Sequence, residues 1–487
     1  MNTLLNGLKE NTNYTYTENG MKVHETTMSA LLDMFAFGGS YRNRTEDDCI
    51  TLFKSALEDS FTYALKCLFY IRDVRGGQGE RRFFRVCMNW LAGAHPEAAG
   101  RVMKHIPEYG RWDDLYCFMD TVLETEALEL IKEQLLKDVY SETPSLLAKW
   151  LPSENASSKA TKQLAIKTRN YLGFTSKQYR VTLSTLRKRI NVLERLMSLN
   201  EWDKIDFSGI PSKAGLNYKD AFFRRPETTE KYAEFIKDKS TVVNAAVLNP
   251  VDIVHKILRD DPWYHPNRLT AEEREALQKY WDNLKDYYNG RKEKGIAVVD
   301  VSGSMDGLPM EAAIAMGAYI AERGEGPFKD HFITFSGTPK LVKFEGVDIT
   351  DKVHRCAQAD WGFNTNIEKV MYLILNTAIE NDCSQDEMPE TLYIFSDMQF
   401  DVALSDKCDE TFFEMMERKF ADAGYEMPRV IFWNLDSRVQ NIVPAIGECF
   451  SYVSGFSMTL LEQILSGLNG MDILIDKLGT ERYAPIY

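Results

Sequence analysis

Residues 295–301 read GIAVVDV, a short run that is apolar until it ends around an acid. An unbroken apolar run of this length predicts a strand covered on both faces, because a strand with one wet face alternates polar and apolar residues. Four more such runs follow, at 331–335 (HFITF), 391–395 (TLYIF), 430–434 (VIFWN) and 450–453. Helical stretches separate them, at 310–323, 366–381, 410–423 and 458–468. The alternation predicts a doubly wound, mostly parallel sheet over residues 291–487. Its ligands are expected beyond the carboxyl ends of the strands.

The earlier part of the chain has another period. Residues 61–73 (FTYALKCLFYIRD) are apolar at helical spacing, a glycine-rich turn follows at 75–80 (RGGQGE), and 81–94 resume the helical pattern. Residues 126–139 and 271–288 read as further amphipathic helices. Strand-like alternation is nearly absent. Helices of about a dozen residues on short connectors predict an α-helical, HEAT-like repeat module over residues 26–290, behind a polar amino-terminal segment at 1–25. No fixed repeat period is present. Within 176–199, Leu183, Leu186, Ile190, Leu193 and Met197 follow the spacing of one helix face, and Arg180, Lys188 and Arg195 point away from it.

Composition narrows the function classes. The chain has 487 residues, 44% hydrophobic and 27% charged, which is ordinary for a globular protein and excludes wholesale disorder. No apolar run reaches the ~18 to 20 residues of a membrane span, and residues 1–25 lack an apolar signal core. The eight cysteines form no CxxC pair, and in a chain this long they read as reduced thiols of a cytoplasmic protein. The net charge of −14 is unevenly spread. Residues 1–294 carry 44 Lys+Arg against 41 Asp+Glu, while residues 295–487 carry 14 against 31. Residues 155–200 hold ten basic residues and one acid, Glu194, and are the only stretch whose charge would draw a polyanion.

The chemistry-bearing residues cluster at strand ends. The first apolar run continues into Asp300-Val301-Ser302-Gly303-Ser304-Met305. Asp300, Ser302 and Ser304 place three hard oxygen groups on one tight loop, and Gly303 permits the turn. Hard oxygens suit Mg²⁺, or Ca²⁺ or Mn²⁺ in its place. A second strand end gives Ser396-Asp397-Met398. Between them, Thr365 in Trp361-Gly362-Phe363-Asn364-Thr365-Asn366 offers a further hydroxyl just before a helix. A strand-terminal Asp can also merely cap a helix, and Ser-Gly-Ser can merely turn. Asp306 and Asp401 lie near the loops. No general base or nucleophile is positioned among these residues, and the seven histidines show no metal-ligand pairing, which disfavours a zinc hydrolase.

This spacing resembles the von Willebrand factor A domain and its metal-ion-dependent adhesion site (MIDAS). The family has D-x-S-x-S on its first loop, a threonine on the second and an aspartate on the third. The resemblance implies the metal ligands Asp300, Ser302, Ser304, Thr365 and Asp397. Where the family has Gly-Gly-Thr-Asp on the second loop, this chain has Phe-Asn-Thr-Asn. In such a site the metal keeps an open position that an outside oxygen ligand, usually a carboxylate, completes.

A helical module followed by such a domain also resembles the TROVE-type proteins, the Ro autoantigen and its bacterial relatives. Segments 72–81 (RDVRGGQGER), 109–114 (YGRWDD), 200–203 (NEWD) and 211–214 (PSKA) look like a domain-of-unknown-function family with the same layout. The Ro resemblance implies helical repeats closed into a ring and small noncoding RNA bound on a basic outer face. On the residues themselves, Arg72, Arg75 and Arg81, with Arg82 and Arg85, flank the glycine-rich turn. They can grip a phosphate there or simply form a salt-bridged helix–helix turn. GGQGE is not a P-loop, because it lacks the Gly-Lys-Ser/Thr ending. Tyr109 to Asp114 reads as a helix start capped by Asp113 or Asp114, with Arg111 as a phosphate contact. Lys162, Lys167, Arg169, Lys177, Arg180, Arg187, Lys188 and Arg195, interleaved with Tyr171, Phe174 and Tyr179, suit single-stranded or irregular RNA. A solvated helix face, or docking against the acidic carboxyl half, accounts for the same charges.

Together these readings predict a non-enzymatic RNA-binding or ribonucleoprotein scaffold with a divalent-metal site, acting as a monomer. A metal-dependent protein–protein adaptor, whose partner supplies an acidic metal ligand, is the second reading. A metal-dependent phosphoesterase is the third.

Overall fold

The structure is a computed structural model. It describes residues 12–190, 192–259, 269–335, 338–358, 366–401, 411–438 and 440–487. The chain forms two compact units, neither of them contiguous. Residues 1–64 belong with 242–480, and residues 65–241 belong with 481–487. Among the described residues no helix is long and apolar enough to cross a membrane, and no disulfide joins the seven described cysteines.

The first unit holds a hairpin of β1 (Tyr14–Tyr16) and β2 (Lys22–His24), and a six-stranded sheet. The sheet strands are β3 (Gly295–Val299), β4 (His331–Thr334), β5 (Leu341–Lys343), β6 (Thr391–Ser396), β7 (Arg429–Asn434) and β8 (Phe450–Ser454). Their order is β5-β4-β3-β6-β7-β8. All pairings are parallel except β4 with the edge strand β5. All six residues of β6 are buried, which requires cover on both faces and explains why the run lacks polar alternation. The expected fold class is therefore present: helices, then a doubly wound, mostly parallel sheet. Three short strands escaped the sequence reading. β1, β2 and β5 have three residues each, too few for a periodicity to register.

Sheet order fixes where a site can form. After β3 the chain moves to β4 on one side, and β6 lies on the other. The crevice beyond the carboxyl ends of β3 and β6 is thus the topological switch point. The helix Leu308–Arg323, rich in alanine, lies close on this region. A Cβ at Gly317 would come within 2.4 Å of Val299 Cγ2, so glycine lets the helix approach β3.

The second unit is helical, as expected. Its longer helices include Arg82–Ala94, Glu124–Tyr140, Lys159–Tyr171, Ser176–Arg189, Ser212–Arg224 and Pro226–Lys237. Thr175 starts the Ser176–Arg189 helix through a capping box with Gln178. The apolar seam expected along 176–199 is split between two helices: Leu183 and Leu186 are buried on the first and Leu193 on a short second one, Leu193–Ser198, while Ile190 and Met197 are only half-buried and Tyr179 and Leu196 are buried beside them. Two further helices are shorter than expected. The 271–288 pattern ends at Asp282, and 458–468 resolves into a 3₁₀ turn, Met458–Leu460, with one helical turn, Leu461–Ile464.

Candidate functional site

Asp300 directly follows β3, and its amide donates to Phe395 O on β6 (3.0 Å), so the first loop leaves the sheet at the switch point. The Asp300 carboxylate is fully buried. Its Oδ1 accepts from the Ser302 amide (2.9 Å) and its Oδ2 from the Ser396 hydroxyl (2.5 Å). The second bond ties the β3 loop to the β6 loop. Ser302 and Ser304 hydroxyls lie 3.1 Å apart, and Ser304 is close enough to Asp397 to lower its carboxyl against the effect of burial. Asp397 is 4% exposed, and its Oδ1 accepts from the Gln399 amide (3.1 Å). Two carboxylates and two hydroxyls are therefore brought together at one end of the sheet. Thr365, the fifth expected ligand, lies outside the described residues.

Burial, and then the neighbouring Asp397 charge, push the Asp300 carboxyl up to about 7. Burial also raises Asp397. Two buried carboxylates with hydroxyls beside them make a hard-oxygen donor set that suits Mg²⁺. Among the described residues no group of three or more His, Cys, Asp or Glu could hold a metal ion. A cation here would therefore rely on serine oxygens as well as on the two aspartates.

Several rim residues were missed by sequence reading. Asn434 ends β7, and its Nδ2 donates to Ser437 Oγ (2.9 Å), while the Asp436 amide donates to Asn434 Oδ1 (3.1 Å). Arg438 pairs with Asp436 at 2.6 Å, and its positive charge lowers Asp397 against the effect of burial. An acid just past an apolar strand, NLDS after VIFW, was the available signal. No local signal marks Ser40, whose hydroxyl lies 2.7 Å from that of Ser437.

The candidate RNA contacts fall into three sets. Arg72 is withdrawn from them: it is 1% exposed, and its Nε donates to Asp114 Oδ2 at 2.8 Å. Its role is to hold a buried carboxylate. Others are committed in part. Arg75 donates to the Glu108 carbonyl, Arg81 lies 3.9 Å from Asp113, and Arg111 stacks over Trp150 at 4.3 Å. Lys167 pairs with Asp120 and Glu124, Arg169 with Glu154, and Arg195 with Glu201. Arg187 donates to the carbonyls of Ala148 and Leu151. The third set is Lys162, Lys177, Arg180 and Lys188. All four are exposed, and among the described residues their side chains lie in no close ion pair, although Lys188 is near enough to Glu201 to help lower its carboxyl. Lys177, Arg180 and Lys188 share one helix, at spacings that put them on one side of it.

The 75–80 turn has a structural explanation. Asp114 accepts from Arg72, from Arg85 (2.7 Å) and from the Arg111 amide (2.9 Å). This is the capped helix start expected at 109–114, here a 3₁₀ turn, Trp112–Phe118. A Cβ at Gly77 would lie 1.9 Å from Tyr70 O, and one at Gly110 would lie 2.4 Å from Asp114 Oδ2. These glycines are therefore required by packing.

Two family models match the chain, one on either side of residue 290. A family model described as a domain of unknown function (DUF2828) matches residues 17–142 and 143–289. A second domain of unknown function (DUF7788) matches residues 294–477. The chain is 33% identical over 528 residues to "Uncharacterized protein L728" of Acanthamoeba polyphaga mimivirus, across 98% of this chain and 89% of that protein. Among solved structures, the RO (RSR) protein of Deinococcus radiodurans is similar in fold. Its TM-score is 0.50 at 13% identity, covering 91% of this chain and 99% of that one.

Proposed function

The chain belongs to the DUF2828 family, and from that premise we propose that it is a non-enzymatic, Ro-type ribonucleoprotein scaffold that binds small structured RNA. The observation that carries the reading is the exposed cationic face of Lys177, Arg180 and Lys188, with Lys162 on the helix Lys159–Tyr171. A protein that keeps cations out of ion pairs on an otherwise acidic chain has a local patch suited to phosphates. The Ro-like fold supports the architecture. In this reading residues 291–487 form a von Willebrand A-type domain. Asp300, Ser302, Ser304 and Asp397 would hold Mg²⁺ or a similar cation, with Thr365 as the fifth ligand that the family pattern implies. When bound, the ion supplies a positive charge and an open position for an outside oxygen ligand. The chain's own residues then bind and orient; no turnover is assigned to them.

The test is purification of the full chain at low salt, with sequencing of any nucleic acid that accompanies it. A discrete small RNA is expected, displaced as salt rises. The triple charge reversal K177E/R180E/K188E is expected to lower RNA affinity at least tenfold with the melting temperature kept, since about three phosphate contacts are lost. RNA-free protein, or undiminished affinity of the triple variant, overturns the reading. The donor cluster on the rim favours a second reading, a metal-dependent adaptor that captures an acidic group of a protein partner. A stoichiometric partner released by EDTA, and lost in Asp300→Ala, would select it.

A further inference from the structure

The third loop of the candidate metal centre contains one disfavoured backbone conformation. Asp397 is followed by Met398, a buried non-glycine residue at φ +65°. That left-handed conformation is disfavoured for a side chain of this kind, so surrounding contacts must fix it. The hairpin β1–β2 supplies such contacts from the far end of the sequence. Thr17 Oγ donates to Phe400 O (2.7 Å) and accepts from the Met21 amide (2.9 Å). The Glu18 amide donates to Gln399 Oε1 (2.7 Å), and Asn19 Nδ2 donates to Gln399 O (2.8 Å). Gly20 forms an antiparallel bridge with Asp401. Gln399 in turn donates its amide to Asp397 Oδ1 (3.1 Å). The hairpin is anchored independently at its other end. There His24 and Val443 exchange backbone hydrogen bonds of 2.8 and 3.0 Å, and Met21 and Val23 are almost wholly buried.

We infer that the amino-terminal hairpin, through Thr17, Asn19 and Gln399, is the positioning element that sets the Asp397 carboxylate for a divalent cation. The inference rests on the metal reading above. Ligand-orienting partners of this kind contribute strongly to metal affinity without touching the ion. Thr17 is suited to the role because one hydroxyl closes the hairpin turn and grips the metal loop together. Any change that loosens the hairpin is thereby transmitted to Asp397.

The test uses the full chain with Mn²⁺ as the probe, free ion being measured by electron paramagnetic resonance. Wild type is expected to bind one Mn²⁺, displaced by Mg²⁺. Thr17→Val is expected to weaken Mn²⁺ binding about tenfold. Thr17→Ser, which keeps the hydroxyl, is expected to bind as wild type does. Asn19→Ala, at an exposed position where folding is not at risk, is expected to weaken binding to a smaller degree and decides the case if Thr17→Val fails to fold. Absence of Mn²⁺ binding by wild type overturns the metal reading and this inference with it. Wild-type binding with unchanged affinity in Thr17→Val, or in Asn19→Ala if that variant decides, overturns this inference alone.

Discussion

Asp33 lies on the helix Ala30–Phe37, 6% exposed, where its Oδ1 accepts from the Thr27 amide at 2.8 Å. Burial, with Asp59 and Glu25 nearby, raises its carboxyl from 3.8 to about 6. The folded chain therefore holds this proton between about pH 4 and pH 6, where the unfolded chain has released it. Stability from this group falls as pH rises through that window, and the full penalty stands above it. Asp33→Asn keeps an acceptor for Thr27 and removes the charge. It is expected to raise stability near neutral pH by on the order of 2 to 3 kcal/mol, with the gain vanishing toward pH 4. Thermal melts of both proteins across that range check it; a gap independent of pH would refute the assignment. Nothing in the sequence marks Asp33 as buried. The clustering of Asp300, Ser302 and Ser304 was legible because they sit within five residues at the end of an apolar run. Thr17 and Gln399 were not, since their contacts span about 380 positions.

The turn after the helix Phe61–Arg72 shows the same limit at the scale of elements. Asp73 is fully buried. The Arg482 guanidinium binds it through two nitrogens, one at 2.7 Å, and Tyr483 OH donates to it at 3.0 Å. Tyr483 stacks on Tyr109 with ring centroids 5.7 Å apart. Residues 481–487 thus complete the helical unit as a docked segment, and a Cβ at Gly76 would stand 3.0 Å from Arg482 Cδ. Sequence reading offered a phosphate grip or a salt-bridged turn here. The structure has the turn, but the arginine that neutralises Asp73 comes from 409 residues away, beyond the reach of any local pattern. Arg482→Ala leaves a buried carboxylate without its cation and is expected to cost about 3 to 5 kcal/mol. Adding Asp73→Asn to that variant should recover a large part of the loss. Urea denaturation of the two singles and the double measures the coupling, and additive losses would show that the pair is not what holds the segment.

At the scale of the whole molecule, the order of strands and helices was readable because each apolar run carries its own period. Membership of a compact unit was not, because residues 1–64 join 242–480 through contacts with no sequence signature. The sheet depends on those early residues. Phe35 and Phe37 are buried on a helix that packs against β8, the Gly39 amide donates to Ser454 Oγ (3.2 Å), and Tyr41 OH donates to Asn441 (2.7 Å). A fragment of residues 291–487 alone would expose the apolar surface under that helix and leave the Asp397 loop without Thr17. It also carries 17 Lys+Arg against 32 Asp+Glu, so self-repulsion opposes its compaction. The fragment is expected to keep strand and helix signal in far-ultraviolet dichroism, lose near-ultraviolet signal and bind hydrophobic dye, the signs of secondary structure without fixed packing. Residues 1–64 linked to 242–480 are expected to regain a cooperative melt. A cooperative melt of 291–487 alone, at the temperature of the full chain, would show that the early residues decorate the sheet rather than complete it.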